Sequence, residues 1–284
     1  MTLYFDKIQT AILDDNPDEE VERLRRAALA SVRDDPGIHQ LVPYFVNFIS
    51  NQVTHHMEDV FVLKQMMELT AALIANKTLF LDSYAPALSA PALTCLLSRR
   101  LGSDDGEGDP ERARREQYGL REFSASIIGE LARRFSASNE LLRSKLTRSC
   151  LKYFLDKDKP PAITYGAIKG LLAAGGPETI RHIVLDTLRS VDEAILEPLR
   201  QAALSNPASR VEYDMVVGAI VEAVASISST TSTVALTGGQ AGNPPSDADM
   251  NALIEYIGPS VAHRVAALRD PGLVKRILER RSAD

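Results

Sequence analysis

Residues 118–155 read YGLREFSASIIGELARRFSASNELLRSKLTRSCLKYFL, and this stretch decides the fold class. Apolar side chains fall at Leu120, Phe123, Ile127, Ile128, Leu131 and Phe135, then at Leu142, Leu146, Cys150 and Phe154. Both sets recur at three- and four-residue spacing, the mark of a single buried helical stripe. Ser138, with Glu140 close behind it, has the chemistry of a helix N-cap followed by an acidic first turn. The segment is a pair of helices joined by a short turn.

Outward from this pair, the same rhythm covers most of the chain. Leu63, Met66, Thr70 and Leu73 form another stripe. The expected pairs are 18–33 with 39–55, 58–75 with 84–101, 118–135 with 139–155, 161–174 with 178–189, and 191–205 with 210–228. Asp35-Pro36-Gly37 breaks the first pair, because proline fixes φ and glycine supplies a permissive backbone. Asn76 is expected at a left-handed C-cap. Pro160-Pro161 opens the fourth pair, and Gly175-Gly176-Pro177 is expected to close its first helix. No segment alternates like a strand, and no Asn-Gly or Asp-Gly hairpin signal occurs. The reading is all-α.

The pairs repeat. Pro43 and Pro86 open equivalent second helices 43 residues apart. The next interval is longer by the polar stretch Gly102–Glu116 (GSDDGEGDPERARRE), expected to be an inserted charged loop. A helix-pair period of roughly 40–47 residues is that of HEAT and armadillo arrays. The expected architecture is therefore a HEAT-type superhelical solenoid of about five helix pairs over residues 1–228, with the loop 102–116 inserted. Residues 229–248, rich in Ser, Thr, Gly and Pro, read as a flexible linker. Residues 249–284 read as a short helical tail with a basic end.

Composition narrows the function. The chain has 284 residues, 45% hydrophobic and 25% charged, enough to bury a sizeable core. No apolar run is long enough to span a bilayer, and the first residues do not read as a signal peptide. Only Cys95 and Cys150 are present, far apart, which fits a reducing compartment and neither a disulfide framework nor a zinc site. The net charge of −6 argues against electrostatic nucleic-acid binding by the chain as a whole.

Catalytic motifs are missing. There is no GxGxxG, Walker loop, GxSxG or HExxH. Tyr165-Gly166-Ala167-Ile168-Lys169-Gly170 looks like a phosphate loop only superficially, since no strand presents it. Gly166 and Gly170 lie four apart on a helix face, where small residues admit a close neighbour. His55 and His56 point about 100° apart on a helix and have no spaced carboxylate or thiol to complete a metal site. Cys95 and Cys150 fall on apolar faces and read as small buried hydrophobes. We expect no catalytic residue, cofactor, metal or small-molecule substrate, and no membrane.

One charged feature stands out. Eight Arg and Lys lie between Arg133 and Lys159, against Glu140, Asp156 and Asp158. Arg143, Lys145, Arg148 and Lys152 sit in the 139–155 helix, with Lys145, Arg148 and Lys152 at i, i+3 and i+7. Their ordinary reading is a solvated face, and their functional reading is a surface for an acidic partner or a nucleic-acid backbone. No aromatics are interleaved to stack bases.

Several motifs, in order, resemble a known family. Asp35-Pro36-Gly37-Ile38-His39-Gln40-Leu41-Val42-Pro43-Tyr44-Phe45 is similar to the opening motif of the HEAT-repeat domain in the TFIID subunit 6 family of TBP-associated factors. Asn76-Lys77-Thr78-Leu79-Phe80-Leu81-Asp82-Ser83-Tyr84 and Leu93-Thr94-Cys95-Leu96-Leu97-Ser98-Arg99-Arg100-Leu101 resemble its second-repeat signature. Leu120-Arg121-Glu122-Phe123-Ser124-Ala125 resembles a third, and Pro160-Pro161 with Thr164 to Leu171 a fourth. The resemblance spans about residues 3–189. It marks Asp35, Pro36, Gly37, Pro43, Tyr44, Tyr165, Gly166 and Gly170 as structural motif positions.

The resemblance implies a non-enzymatic scaffold of TFIID, in fungi also of SAGA, acting in RNA polymerase II initiation in the nucleus. The family's histone fold does not occur in this sequence, so the chain is expected to be the C-terminal part of a longer protein. Implied partners are other TFIID and SAGA subunits, including a histone-fold partner of the full-length protein. Promoter DNA contacted through the basic helix is the first alternative, and an unrelated HEAT-type adaptor the second.

Overall fold

A computed structural model describes residues 2–102, 109–229 and 243–282. Among these residues the regular structure is helical, with no strand. Two compact units divide the chain, residues 1–146 and 147–284.

The first unit begins with α1 (Thr2–Leu13), a helix outside the five expected pairs. Its Phe5 packs edge-on against Phe45, with ring centroids 5.0 Å apart, and lies near Tyr44 and Phe48. There follow α2 (Glu19–Asp34), α3 (Val42–His55), α4 (Val60–Ala75), α5 (Ala85–Leu97) and α6 (Pro110–Arg134). Helices α2, α4 and α6 pack side by side in one layer, and α3 packs on α5 in a second. That two-layer stacking of successive pairs is the HEAT arrangement. Its core includes Phe45, Ile49, Leu63, Met66, Leu73, Leu88, Cys95 and Ile128, all inaccessible to solvent.

Each turn in this unit has a chemical cause. The Asp18 carboxylate accepts from the Glu20 N–H at the start of α2. Asp35 does the same for Gly37 at 2.7 Å, opening a short 3-10 helix over Pro36–Leu41 that leads into α3. Asp59 caps α4 through the Val62 N–H. Asn76 is not left-handed, as its φ of −71° and ψ of 104° show. Its side chain makes a left-handed backbone unnecessary. Oδ1 accepts from Thr78, while Nδ2 donates to the Val32 and Asp35 carbonyls, each at 2.9 Å.

The charged stretch 102–116 is only partly a loop. Asp109 accepts from the Glu111 N–H and Pro110 takes the first helical position, so residues 110–116 are the opening turns of α6. Arg112 and Glu116 pair four residues apart along them. Residues 103–108 lie outside the described residues, as do residues 230–242 of the linker. The next helix, α7 (Glu140–Phe154), begins one residue later than a Ser138 cap requires, which leaves Asn139 at the capping position. The division between the two units falls within α7.

The second unit departs further from the expected pairs. Helix α8 (Pro161–Thr179) is two helical stretches that meet at Gly175-Gly176-Pro177, where the first one ends as expected. Gly176 takes up a kink at φ 74°, a conformation that glycine adopts at little cost, and the helix resumes with Pro177 in its first turn. A π-helical turn (Ile180–Val184), α9 (Leu185–Val191), a second π turn (Asp192–Leu196) and α10 (Glu197–Ala203) then follow without interruption. No turn separates residues 178–189 from 191–205. Helix α11 (Pro207–Ser229) packs on α8 and α10. Three further helices, α12 (Asp247–Ile257), α13 (Pro259–Ala267) and α14 (Pro271–Arg281), pack on one another and on α9 and α11. They bury Leu253, Ile257, Val261, Val265, Leu273 and Ile277.

Candidate functional site

Helix α7 carries the candidate residues. Leu142, Leu146, Cys150 and Phe154 are all buried, which fixes the rotation of the helix about its axis. Lys145, Arg148 and Lys152 consequently face solvent, and so does Arg143. Arg143 stands two residues from Lys145, about 200° around the helix, and so leaves their row. Among the described residues, no carboxylate lies within ion-pair distance of Lys145, Arg148 or Lys152. Asp156, four residues past Lys152, is held instead by Lys159 at 3.6 Å.

The motif positions of the first unit gather at its helix turns. Asn76 bonds to the α2 end and to Asp35, bringing the Asp35-Pro36-Gly37 turn against the start of the α4–α5 connection. Arg134 joins them by donating to the Asn76 carbonyl at 3.3 Å. His39 stacks on Phe80, with centroids 5.7 Å apart and planes 21° from parallel. Phe80 is 81% exposed between the buried Leu79 and Leu81. Pro43 opens α3, and Tyr44 is exposed beside Phe5. In the second unit Tyr165, Gly166 and Gly170 are buried in α8. Buried glycines in a helix interior serve packing rather than a phosphate.

Two structural groups escaped the reading of the sequence. Arg121 is 1% exposed, and its guanidinium donates to the Leu96 carbonyl at 2.6 Å and to Ser98 at 2.8 Å. It thereby satisfies carbonyls at the end of α5 that have no helical partner. Burial pulls its pKa down to about 10. The available signal was positional, since Arg121 lies on the same face as Ser124, Ala125 and Ile128. Asp192, also 1% exposed, lies against Gly258 at the start of α13, and its Oδ1 has no hydrogen-bond partner among the described residues. Burial raises its pKa above the usual carboxylate value. Gly258 precedes α13 with φ 82°, and a Cβ there would lie 2.4 Å from the Asp192 side chain.

Burial pushes the thiols of Cys95 and Cys150 up to about 12. The His55 and His56 ring Nδ1 atoms bond to the Asn51 and Gln52 carbonyls of their own helix. Among the described residues, no three His, Cys, Asp or Glu converge as metal ligands, and no helix is long and apolar enough to cross a membrane.

Comparison with known proteins places this fold. A solved structure, the TAF6 C-terminal domain from Antonospora locustae, superposes with a TM-score of 0.50 at 22% identity, covering 76% of this chain and 94% of that one. That likeness concerns the fold. The Schizosaccharomyces pombe SAGA complex/transcription factor TFIID complex subunit Taf6 is 39% identical over 201 residues, covering 71% of this chain. The Arabidopsis thaliana transcription initiation factor TFIID subunit 6 is 34% identical over 199 residues, 70% of this chain. The chain spans 42% and 34% of the lengths of these two relatives. Residues 1–189 match the sequence profile described as the TAF6 C-terminal HEAT repeat domain. With two thirds of its length matched and the stacked helix pairs in place, the chain belongs to the TAF6 C-terminal HEAT repeat family.

Proposed function

We propose that the chain is a non-enzymatic scaffold of TFIID, and of SAGA, that bridges subunits for RNA polymerase II transcription initiation in the nucleus. One observation carries the reading: residues 1–189 match a family whose relatives are named as subunits of these complexes. The architecture supports it, because paired helices leave lateral faces and turns free for partners while their interiors supply stability. The partners are other subunits, including a histone-fold partner of the full-length protein, and Arg143, Lys145, Arg148 and Lys152 form the contact region on α7. In this reading residues 1–228 are the HEAT-repeat domain, and 249–284 are a helical extension beyond the linker 229–248.

The test is affinity purification of the full-length protein, intact and with this domain deleted, with the recovered subunits identified. Deletion is expected to lose a defined subset of subunits. Recovery of every subunit without the domain would overturn the scaffold reading. Direct promoter-DNA contact is the second reading, favoured by the same exposed cations. A DNA affinity that falls steeply between low and moderate salt would support it.

A further inference from the structure

Leu141, Lys145, Arg148, Lys152 and Leu155 follow one another at spacings of four, three, four and three residues. On an α-helix this spacing holds side chains in a single row through two heptads. The Leu155 N–H donates to the Leu151 carbonyl at 3.1 Å, so the helical course reaches the last member. All five face solvent, with Leu141 at 64% and Leu155 at 46% exposure.

The row is unlike the other charged helix faces of this protein. Elsewhere opposite charges pair at i and i+4, as Glu22 with Arg26, Arg112 with Glu116, Arg189 with Glu193, and Lys275 with Glu279. Here Lys145 and Arg148 are three apart, and Arg148 and Lys152 four apart, where like charges repel and weaken the helix. An acidic chain of net charge −6 leaves three cations in line, without a carboxylate among the described residues to balance them, and sets a leucine in water at each end.

We infer that this row is the docking seam for an acidic α-helix of a partner protein. The partner's apolar side chains cover Leu141 and Leu155, which stand about 21 Å apart along the axis. Its carboxylates occupy the heptad positions between them and face Lys145, Arg148 and Lys152, where exclusion of water strengthens the pairing. A DNA backbone would match the cations but leave both leucines uncovered. The inference rests on the scaffold reading and names the chemistry of the partner at this site.

The experiment places the photo-crosslinking residue p-benzoylphenylalanine at position 141 or 155 of the full-length protein, assembled with its native partners. The cross-linked segment is then mapped by mass spectrometry. Both positions are expected to capture one carboxylate-rich helical segment, in the same subunit. The combined substitution Lys145→Glu, Arg148→Glu and Lys152→Glu should lower that yield by about tenfold. Circular dichroism should show an unchanged helical spectrum, because the three positions lie off the buried stripe. Cross-links to DNA, to a neutral or basic segment, or to nothing would overturn the seam. If the seam fails while other subunits still co-purify with the intact protein, the scaffold reading stands. If no subunit co-purifies, the scaffold reading itself has failed.

Discussion

Both units must satisfy helix ends, and the charge that each buries most deeply at such an end has the opposite sign. In the first unit, donors serve carbonyl ends: Asn76 reaches the end of α2, and the buried Arg121 reaches the end of α5. In the second, a buried carboxyl group, Asp192, packs against Gly258 at the amide end of α13. The second unit also has a guanidinium on a carbonyl end, Arg276 on Ile227 and Ser228 at 2.8 Å, but that side chain is only half-buried. The pattern follows the helix dipole, with cations at C-termini and anions at N-termini. The difference lies in what burial costs. Arg121 and Asn76 convert their burial into hydrogen bonds across repeats, whereas burial of Asp192 disfavours its charged form.

The largest expected effect comes from breaking the first arrangement. Arg121→Met keeps the volume but strands the Leu96 and Ser98 carbonyls, and should cost about 3 kcal/mol in chemical denaturation. A loss below about 1 kcal/mol would mean that water replaces the guanidinium freely. Asn76→Ala removes the links to Val32, Asp35 and Thr78 and should cost about 2 kcal/mol by the same measurement. Gly258→Ala tests the second arrangement by driving a Cβ into Asp192 on a backbone that only glycine adopts comfortably. It should lower stability by about 2 kcal/mol, and an unchanged melting temperature would show that the α12–α13 junction shifts without penalty.

The smallest effect is one of pH dependence, and it belongs to Asp192 in the second unit. Because the folded pKa of Asp192 is raised, its contribution to stability is fully present below the unfolded carboxylate value and lost as pH rises through the folded one. Asp192→Asn should therefore gain on the wild type as pH rises from acid toward neutral. Melting curves across that range check it. A constant difference between the two proteins would show that Asp192 titrates as it does unfolded.

How much of this was legible depended on range. The stripes of α2 to α7 and the Asp35-Pro36-Gly37 turn are local, and the periodicity marks them. The roles of Asn76 and Arg121 depend on carbonyls 44 and 25 residues away, which no local pattern encodes. Gly175-Gly176-Pro177 looks like a stop because glycine and proline usually end helices. Gly176 does break the helix there, and what stays unmarked is the run after it, from Pro177 through two π turns that have no compositional signature. The opening of α6 was hidden by its charge, since a solvated helix start and a charged loop share the same residues. At the candidate site, the cations were visible in the sequence. The leucines that bracket them became significant only once α7 had a buried side and an exposed one.

The buried thiols have a practical consequence. Cys95 and Cys150 are fully enclosed, and their pKa values near 12 leave almost no thiolate at neutral pH. Alkylating dyes and spin labels should therefore find nothing to react with until the chain opens. A cysteine introduced at an exposed point such as Phe80 would be labelled alone, with neither native cysteine first removed. The wild-type protein is thus ready for single-site fluorescence, and its slow background labelling becomes a direct clock for unfolding.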